Sequence, residues 1–184
     1  LDEPKYIDYA VDQCFKMYDV FMDKSNGLLH QARGFMGDKT TITHDHWSRG
    51  NGWGYIGLTE LLKYLPKDSK HYPEVKERYI AHSKAILKHQ DYRGLWRQCM
   101  AEPLAWQESS GTGIFLYGFG AGIRLGVLDK EEFMPAFEKG VDGLFRWEGR
   151  LFFRFFLGLC HFFIAGRPLR SRTAAGRAKA QLQV

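Results

Sequence analysis

Glycine recurs at every fourth position through Gly118, Gly122 and Gly126, within a run of apolar residues that has helical periodicity. Each glycine inside a helix costs about 1 kcal/mol relative to alanine. The repeat therefore predicts a flat helix face that packs closely against a neighbouring helix. The same glycines resemble a nucleotide-binding loop, but they follow no strand and lie inside a helix, so their context argues against nucleotide binding.

Five segments have the periodicity of helices, and no stretch before Phe145 alternates with period two for long enough to predict a strand. Helices one, three and five are charged and amphipathic, whereas helices two and four are rich in glycine and poor in charge. Long loops over 28–48 and 91–109 precede helices two and four. This alternation predicts two concentric layers of helices, with the long loops lining one open end. The predicted helices are Tyr6–Met22, Gly52–Leu65, Tyr72–Gln90, Ser110–Leu125 and Lys130–Gly140.

The net charge of +5 is unevenly distributed. Residues 145–184 carry eight arginines and lysines against one glutamate, so the rest of the chain is mildly acidic. We therefore expect no phosphate-tracking surface and no nucleic-acid partner. Within this tail, Leu151–Ala165 is rich in phenylalanine but shorter than the roughly 20 residues that span a membrane. We interpret 145–184 as an atypical segment, either disordered or read out of frame; an interfacial membrane anchor is the alternative.

The metal-ligating residues have no recognisable spacing. The three cysteines are odd in number and have no CxxC pair, which argues against both a zinc cluster and a disulfide framework. His44 and His46 flank Asp45 and resemble a metal-binding pair, but a third ligand with matching spacing is missing. We interpret them as solvated loop residues, and we expect no metal and no cofactor.

Three blocks, Thr43–Leu58, Gly94–Gln98 and Trp106–Gly118, place aromatic rings beside a cation or an amide. Arg49 and Trp53 lie about one helical turn apart, hence on one face. An arginine fork binds a carboxylate, and an indole face packs on a pyranose. The pattern favours binding of a sugar acid; the alternative is a core Trp53 and an Arg49 in a surface ion pair.

Acidic side chains of the loops do not pair by spacing, although glycosidic chemistry usually requires two carboxylates. We expect Glu108 to serve the positive end of the fourth helix, which Ser109 or Ser110 would cap. His30 is a lone loop histidine, which by itself predicts a structural hydrogen bond. The other candidate acids are Asp45, Asp91 and Glu102.

Four blocks together resemble the unsaturated glycuronyl hydrolases, glycoside hydrolase families 105 and 88, and the rhamnogalacturonan-degrading branch in particular. The resemblance covers residues 5–143. It implies an all-α fold, a partial (α/α)6 barrel, with residues 1–144 as the latter part of that barrel. The matching blocks are GLLH (Gly27–His30), HWSRGNGW (His46–Trp53), GLWRQ (Gly94–Gln98) and ESSGTGIFLYGFGAGIRLGVLD (Glu108–Asp129).

The resemblance also implies a reaction. Such enzymes act on the Δ4,5-unsaturated uronic acid at the non-reducing end of oligosaccharides produced by lyases, including pectin fragments. An aspartate protonates the C4=C5 double bond, water adds at C5 and the hemiketal opens, without a metal. The family's catalytic aspartate lies upstream of the region that Leu1–Met22 matches, so no residue is assigned as the general acid. The resemblance implies substrate contacts for His30, Arg49 and Trp53, and chemistry alone adds Trp47, Trp96 and Arg97.

Two other functions stay open. One is a different (α/α)6 sugar enzyme, an epimerase or a polysaccharide lyase, with His30, His44 or Glu108 as acid or base. The other is a non-catalytic carbohydrate-binding fragment. A partial barrel leaves inner helix faces unburied, so we expect the chain alone to be inactive and marginally stable. The uronide linkage, the oligomeric state and the compartment (cytoplasm or periplasm, if bacterial) stay open.

Overall fold

Five α-helices make up most of the structure, a computed structural model that describes residues 3–35 and 37–146. All five predicted helices are present. The second begins at Ser48 rather than Gly52, so its first turn includes Ser48 and Arg49. The fifth continues beyond Gly140 to residue 146. The helices are α1 (Pro4–Phe21), α2 (Ser48–Tyr64), α3 (Tyr72–Leu87), α4 (Ser109–Arg124) and α5 (130–146).

The helices form two layers, as the glycine content predicts. α2 packs against α4, α3 and α1, and most of its buried positions are small or aromatic. A side chain at Gly118 would overlap the ring of Tyr55, and one at Gly122 would lie 2.5 Å from the Tyr79 hydroxyl. The close packing predicted for these two glycines is therefore confirmed. Gly126 is different: it has φ of +67° and open space around it, and it ends α4.

The first turns of α2 and α4 lie side by side. The backbone N–H of Ser48 donates to the carbonyl of Gln98 (2.9 Å), and its hydroxyl donates to Glu108 Oε2 (2.9 Å). Glu108 Oε2 also accepts from the N–H of Gly111 (2.7 Å), so Glu108 is itself the N-cap of α4. Our expectation that Ser109 or Ser110 caps this helix is wrong. The two long loops meet at this end, as predicted.

A short antiparallel ribbon corrects the expectation that this part of the chain has no strand. β1 (Trp96–Arg97) pairs with β2 (Gln107–Glu108), with Trp96 opposite Glu108. Two-residue strands are too short to show an alternating pattern, so the sequence carries no signal for them. The ribbon brings the 91–109 loop against the start of α2, where Trp47 and Cys99 form an isolated bridge.

Aromatic rings fill the space between the layers. The rings of Tyr55 and Tyr79 are stacked, with centroids 5.0 Å apart, and the Tyr79 hydroxyl donates to the carbonyl of Gly118 (2.5 Å). Phe115 and Phe119 contact Tyr55 from α4. In the part of the chain that the structure describes, no helix is long and apolar enough to cross a membrane. The phenylalanine-rich segment Leu151–Ala165 lies outside the described residues.

Candidate functional site

A cavity of about 410 Å³ opens between the end of α1, the loop after it and the first turns of α2. Met17 and Phe21 line it from α1, and His30, Trp47 and Trp53 line it from the loop and α2. Three of the six predicted substrate contacts therefore lie in one cavity. Gly54 also lines it; a side chain there would lie 2.6 Å from Leu29 Cδ1, so glycine lets the loop approach α2.

Arg49 and Trp53 are available to a ligand. Trp53 is 62% exposed, which contradicts the alternative that it is a core residue. The guanidinium carbon of Arg49 lies 4.6 Å from the centroid of the Trp47 ring, and the residue is exposed. Among residues 3–35 and 37–146, Arg49 has no ion pair with a carboxylate. Arg49 is not itself a lining residue; its guanidinium stacks on Trp47, which lines the cavity. Its N–H groups make no hydrogen bond within the described residues, so they can bind an anion there.

Asn51 positions two walls of this cavity. Its Oδ1 accepts from the N–H of Leu29 (2.7 Å), and its Nδ2 donates to the carbonyls of Leu29 (2.9 Å) and Trp47 (3.0 Å). The side chain is completely buried. Because Leu29 immediately precedes His30, one amide sets the backbone beside both His30 and Trp47.

A buried histidine continues the same network. His82 Nε2 lies 3.2 Å from Asn51 Oδ1, and its Nδ1 lies 2.6 Å from the hydroxyl of Tyr18. These partners fit the tautomer in which Nε2–H donates to Asn51 and Tyr18 donates to Nδ1. Burial lowers the pKa of His82 to about 3, so it is neutral near neutral pH.

Asp23, His30 and His46 meet at the base of the loop. Asp23 Oδ2 lies 3.0 Å from His46 Nε2 and 3.9 Å from His30 Nε2. Hydrogen bonds from Ser25, mainly from its hydroxyl, lower the pKa of Asp23 to about 2. His46 is only 5% exposed, so our interpretation of it as a solvated loop residue is wrong; tertiary contacts supply the neighbours that spacing lacked.

Trp96 and Arg97 have structural contacts instead of cavity positions. The Trp96 ring is fully buried, and its Nε1 donates to the carbonyl of Ile86 (2.7 Å). The predicted contact between Trp96 and a substrate is therefore wrong, because the ring packs between α3 and α4. Arg97 Nη1 donates to the carbonyl of Ala105 (2.6 Å), which ties down the turn between the two short strands.

Most of the candidate acids accept hydrogen bonds from backbone N–H groups. Asp91 accepts from the N–H groups of Arg93 (2.8 Å) and Leu95 (3.1 Å), and Glu102 accepts from Leu104 N–H (3.2 Å). Glu108 caps α4, as expected for its position. No carboxylate lines the cavity within the described ranges.

Sequence reasoning missed Asp23 and His82. Asp23 carried a local signal, because an Asp with Ser, Asn and Gly two to four residues later is typical of a side-chain-bonded turn. His82 is one residue in an amphipathic helix, and the sequence carries no sign of its two distant partners.

The helical layers and an aromatic cavity at the loop end are typical of helical-barrel enzymes that act on carbohydrates. The model of Glycosyl Hydrolase Family 88 matches residues 1–151, and the chain belongs to this family. The family is one of glycoside hydrolases.

Relatives support the same assignment. An unsaturated 3S-rhamnoglycuronyl hydrolase of Formosa agariphila is 30% identical over 152 residues, 78% of this chain and 40% of the relative. A possible member of glycoside hydrolase family 105 from Salmonella enterica superposes with a TM-score of 0.68 at 26% identity, over 79% of this chain and 38% of that one. A polysaccharide lyase structure superposes with a TM-score of 0.60 at 29% identity, over 67% and 36%.

The chain thus spans about 40% of the length of the curated relative from Formosa agariphila. Its fold is a partial (α/α)6 barrel, as predicted. The assignment of residues 1–144 to the latter part of that barrel stays a prediction.

Proposed function

We propose that this chain contributes the sugar-acid binding wall of an enzyme that hydrolyses oligosaccharides ending in a Δ4,5-unsaturated uronic acid. The observation that carries the proposal is the guanidinium of Arg49, stacked on Trp47 beside a cavity that His30 and Trp53 also line. No carboxylate of the described residues pairs with this guanidinium. A carboxylate of a ligand is therefore its natural partner. The relative from Formosa agariphila, named for an unsaturated rhamnoglycuronide, supports this substrate class.

The three side chains have complementary roles in this proposal. Arg49 binds the uronate carboxylate with two parallel hydrogen bonds, and Trp53 packs an exposed indole face on the ring. His30 forms the opposite wall of the cavity, against which the sugar ring packs. The uronide is joined to rhamnose or another pectic sugar at its reducing side.

Hydration of the C4=C5 double bond completes the proposed mechanism. A carboxylic acid protonates C4, water adds at C5, and the resulting hemiketal opens to release the neighbouring sugar. None of the cavity-lining side chains described is a carboxylate. We therefore propose that the acid is an aspartate contributed by a part of the barrel other than these residues.

Ultraviolet absorbance of the conjugated double bond tests the proposal. The purified chain is incubated with an unsaturated uronic acid–rhamnose disaccharide, beside an Arg49→Ala variant. Falling absorbance that the variant abolishes supports the hydrolase and shows that an acid within this chain suffices. Saturable quenching of tryptophan fluorescence without turnover supports the binding wall with an acid elsewhere; a saturated disaccharide is the control for recognition of the double bond. If the chain neither turns over nor binds the disaccharide, the proposal is contradicted.

A polysaccharide lyase is the second candidate, because one related structure carries that description. A lyase creates the double bond, so absorbance would rise when the chain is given an intact uronic-acid polysaccharide. An epimerase would leave the absorbance unchanged. A basic tail that binds nucleic acid or membrane would instead give binding that falls steeply with salt and is lost on truncation at Phe145.

A further inference from the structure

Three metal-ligating side chains converge where the two ends of the 22–47 loop meet. Asp23 lies two residues after the end of α1, His46 lies two residues before α2, and His30 lies between them in the sequence. One ligand atom from each of the three lies within 4.8 Å of the other two. The rings of His30 and His46 are stacked with centroids 5.0 Å apart.

Two of the three ligand-atom separations are close to those around a small tetrahedral ion. Zinc binds histidine nitrogen and carboxylate oxygen at about 2.0–2.2 Å, so neighbouring ligand atoms around a tetrahedral zinc lie roughly 3.3–3.6 Å apart. Asp23 Oδ2 lies 3.0 Å from one histidine Nε2 and 3.9 Å from the other, which brackets that spacing. Two imidazoles and a carboxylate are a common set for a zinc site with an open fourth position.

His46 and Asn26 share the carboxylate of Asp23. Asn26 Oδ1 accepts from the N–H of Leu28 (2.8 Å), which directs Asn26 Nδ2 at His46 Nε2 (3.3 Å) and at Asp23 Oδ2 (3.1 Å). His46 Nε2 therefore faces a donor and a carboxylate at once. With Nε2 as an N–H, His46 donates to Asp23 (3.0 Å). In the other tautomer, Nε2 and the carboxylate are both acceptors and can share a cation. A cation between the carboxylate and the nitrogen lone pair would replace this hydrogen bond with two metal–ligand bonds.

We propose that Asp23, His30 and His46 bind a divalent transition-metal ion of the zinc type, with water at the fourth position. The ion would fasten the base of the cavity-bearing loop to the end of α1. It would also hold His30 through Nε2; the Nδ1 of this residue is buried and has no hydrogen-bond partner in the described structure. The inference goes beyond the proposed hydrolysis, and it replaces the sequence-based expectation of no metal.

Calorimetric titration tests the site directly. The full chain, without a polyhistidine tag, is dialysed against a chelator and titrated with zinc chloride. We expect one equivalent to bind and the thermal midpoint to rise with zinc concentration. His46→Gln and Asp23→Asn should each weaken binding by at least about tenfold. His44→Gln, an exposed histidine two residues away, is the matched control and should bind like the parent chain.

A spectroscopic measurement on the parent chain tests the site even if the variants fail to fold. Imidazole nitrogen resonances of the parent chain, recorded by NMR before and after one equivalent of zinc, should shift at Nε2 of His30 and His46. Shifts confined to other histidines, absence of zinc binding, or unaltered binding in both folded variants would each overturn the proposal. Since no sugar is present, these outcomes do not depend on the hydrolase assignment. A chelated chain that still binds the disaccharide would leave the proposed function standing.

Discussion

Asn51 and Leu29 exchange two hydrogen bonds across 22 residues: the Leu29 N–H donates to Asn51 Oδ1 (2.7 Å), and Asn51 Nδ2 donates to the Leu29 carbonyl (2.9 Å). The side-chain amide thus makes with Leu29 the two hydrogen bonds that the backbone of a paired strand would make. It joins the loop wall of the cavity to the helix that carries Arg49 and Trp53. The geometry of the cavity therefore depends on a residue that does not line it.

Asn51→Ala should lower the free energy of unfolding by about 2–4 kcal/mol, because it leaves the buried Leu29 N–H and carbonyl without partners. Urea denaturation of the two chains measures the difference. Asn51→Asp is the informative companion, since it keeps the acceptor for Leu29 N–H and loses both Nδ2 donors. A loss below about 0.5 kcal/mol in the alanine variant would show that the loop holds without this amide.

The free energy of unfolding should decrease as the pH is lowered, because of His82. Its pKa is about 3 in the folded chain and about 6.5 when unfolded, so the unfolded state binds the extra proton between these values. The contribution is complete above about pH 6.5 and is lost at roughly 1.4 kcal/mol per pH unit as the pH falls towards 3. In His82→Gln, the slope of the free energy of unfolding against pH should be smaller by the equivalent of about one proton. Denaturation curves recorded between pH 7 and 4.5 measure it.

The control for that measurement is His44→Gln, which changes an exposed histidine and should keep the parent slope. Comparison of slopes, rather than of absolute stabilities, separates proton linkage from the loss of the Tyr18 and Asn51 hydrogen bonds. Equal slopes in the parent and the His82→Gln chain would mean that His82 is not the group that titrates.

Arg49→Lys should weaken binding of an unsaturated uronic acid by about tenfold or more while leaving the thermal midpoint unchanged. Lysine keeps the charge but loses the planar two-pronged donor set and its stacking on Trp47. Fluorescence titration with the disaccharide gives the affinity. Arg124→Lys, at the exposed end of α4, is the matched control; equal affinities in the two variants would remove Arg49 from the site.

Trp53→Ala and Trp96→Ala should have opposite effects. Trp53 is 62% exposed in the cavity, so its removal should reduce sugar binding and hardly change stability. Trp96 is fully buried and donates to Ile86, so its removal should cost about 3–5 kcal/mol of stability. Thermal denaturation and disaccharide titration of both variants measure the contrast. A Trp53 variant as unstable as the Trp96 variant would contradict this division.

Short-range pattern was sufficient for the helices and for the close contacts of Gly118 and Gly122. These depend on spacing along one element, and a side chain one turn away in sequence is also near in space. The Trp–Arg grouping around Trp47, Arg49 and Trp53 was predictable for the same reason. The two-residue strands were not, because their pairing is set by the 98–106 turn and by the start of α2 rather than by alternation.

The amino-acid sequence by itself determined that this is a layered helical chain and that Trp47, Arg49 and Trp53 are grouped around the start of its second helix. The tertiary structure alone decided that Trp96 is a core residue, that His46 is buried and that Asp23 and His82 belong to the networks around the cavity. Those partners are 23 residues apart for Asp23 and His46, and 64 apart for Tyr18 and His82. No periodicity extends over such distances, because contacts of that range arise from how helices pack against one another.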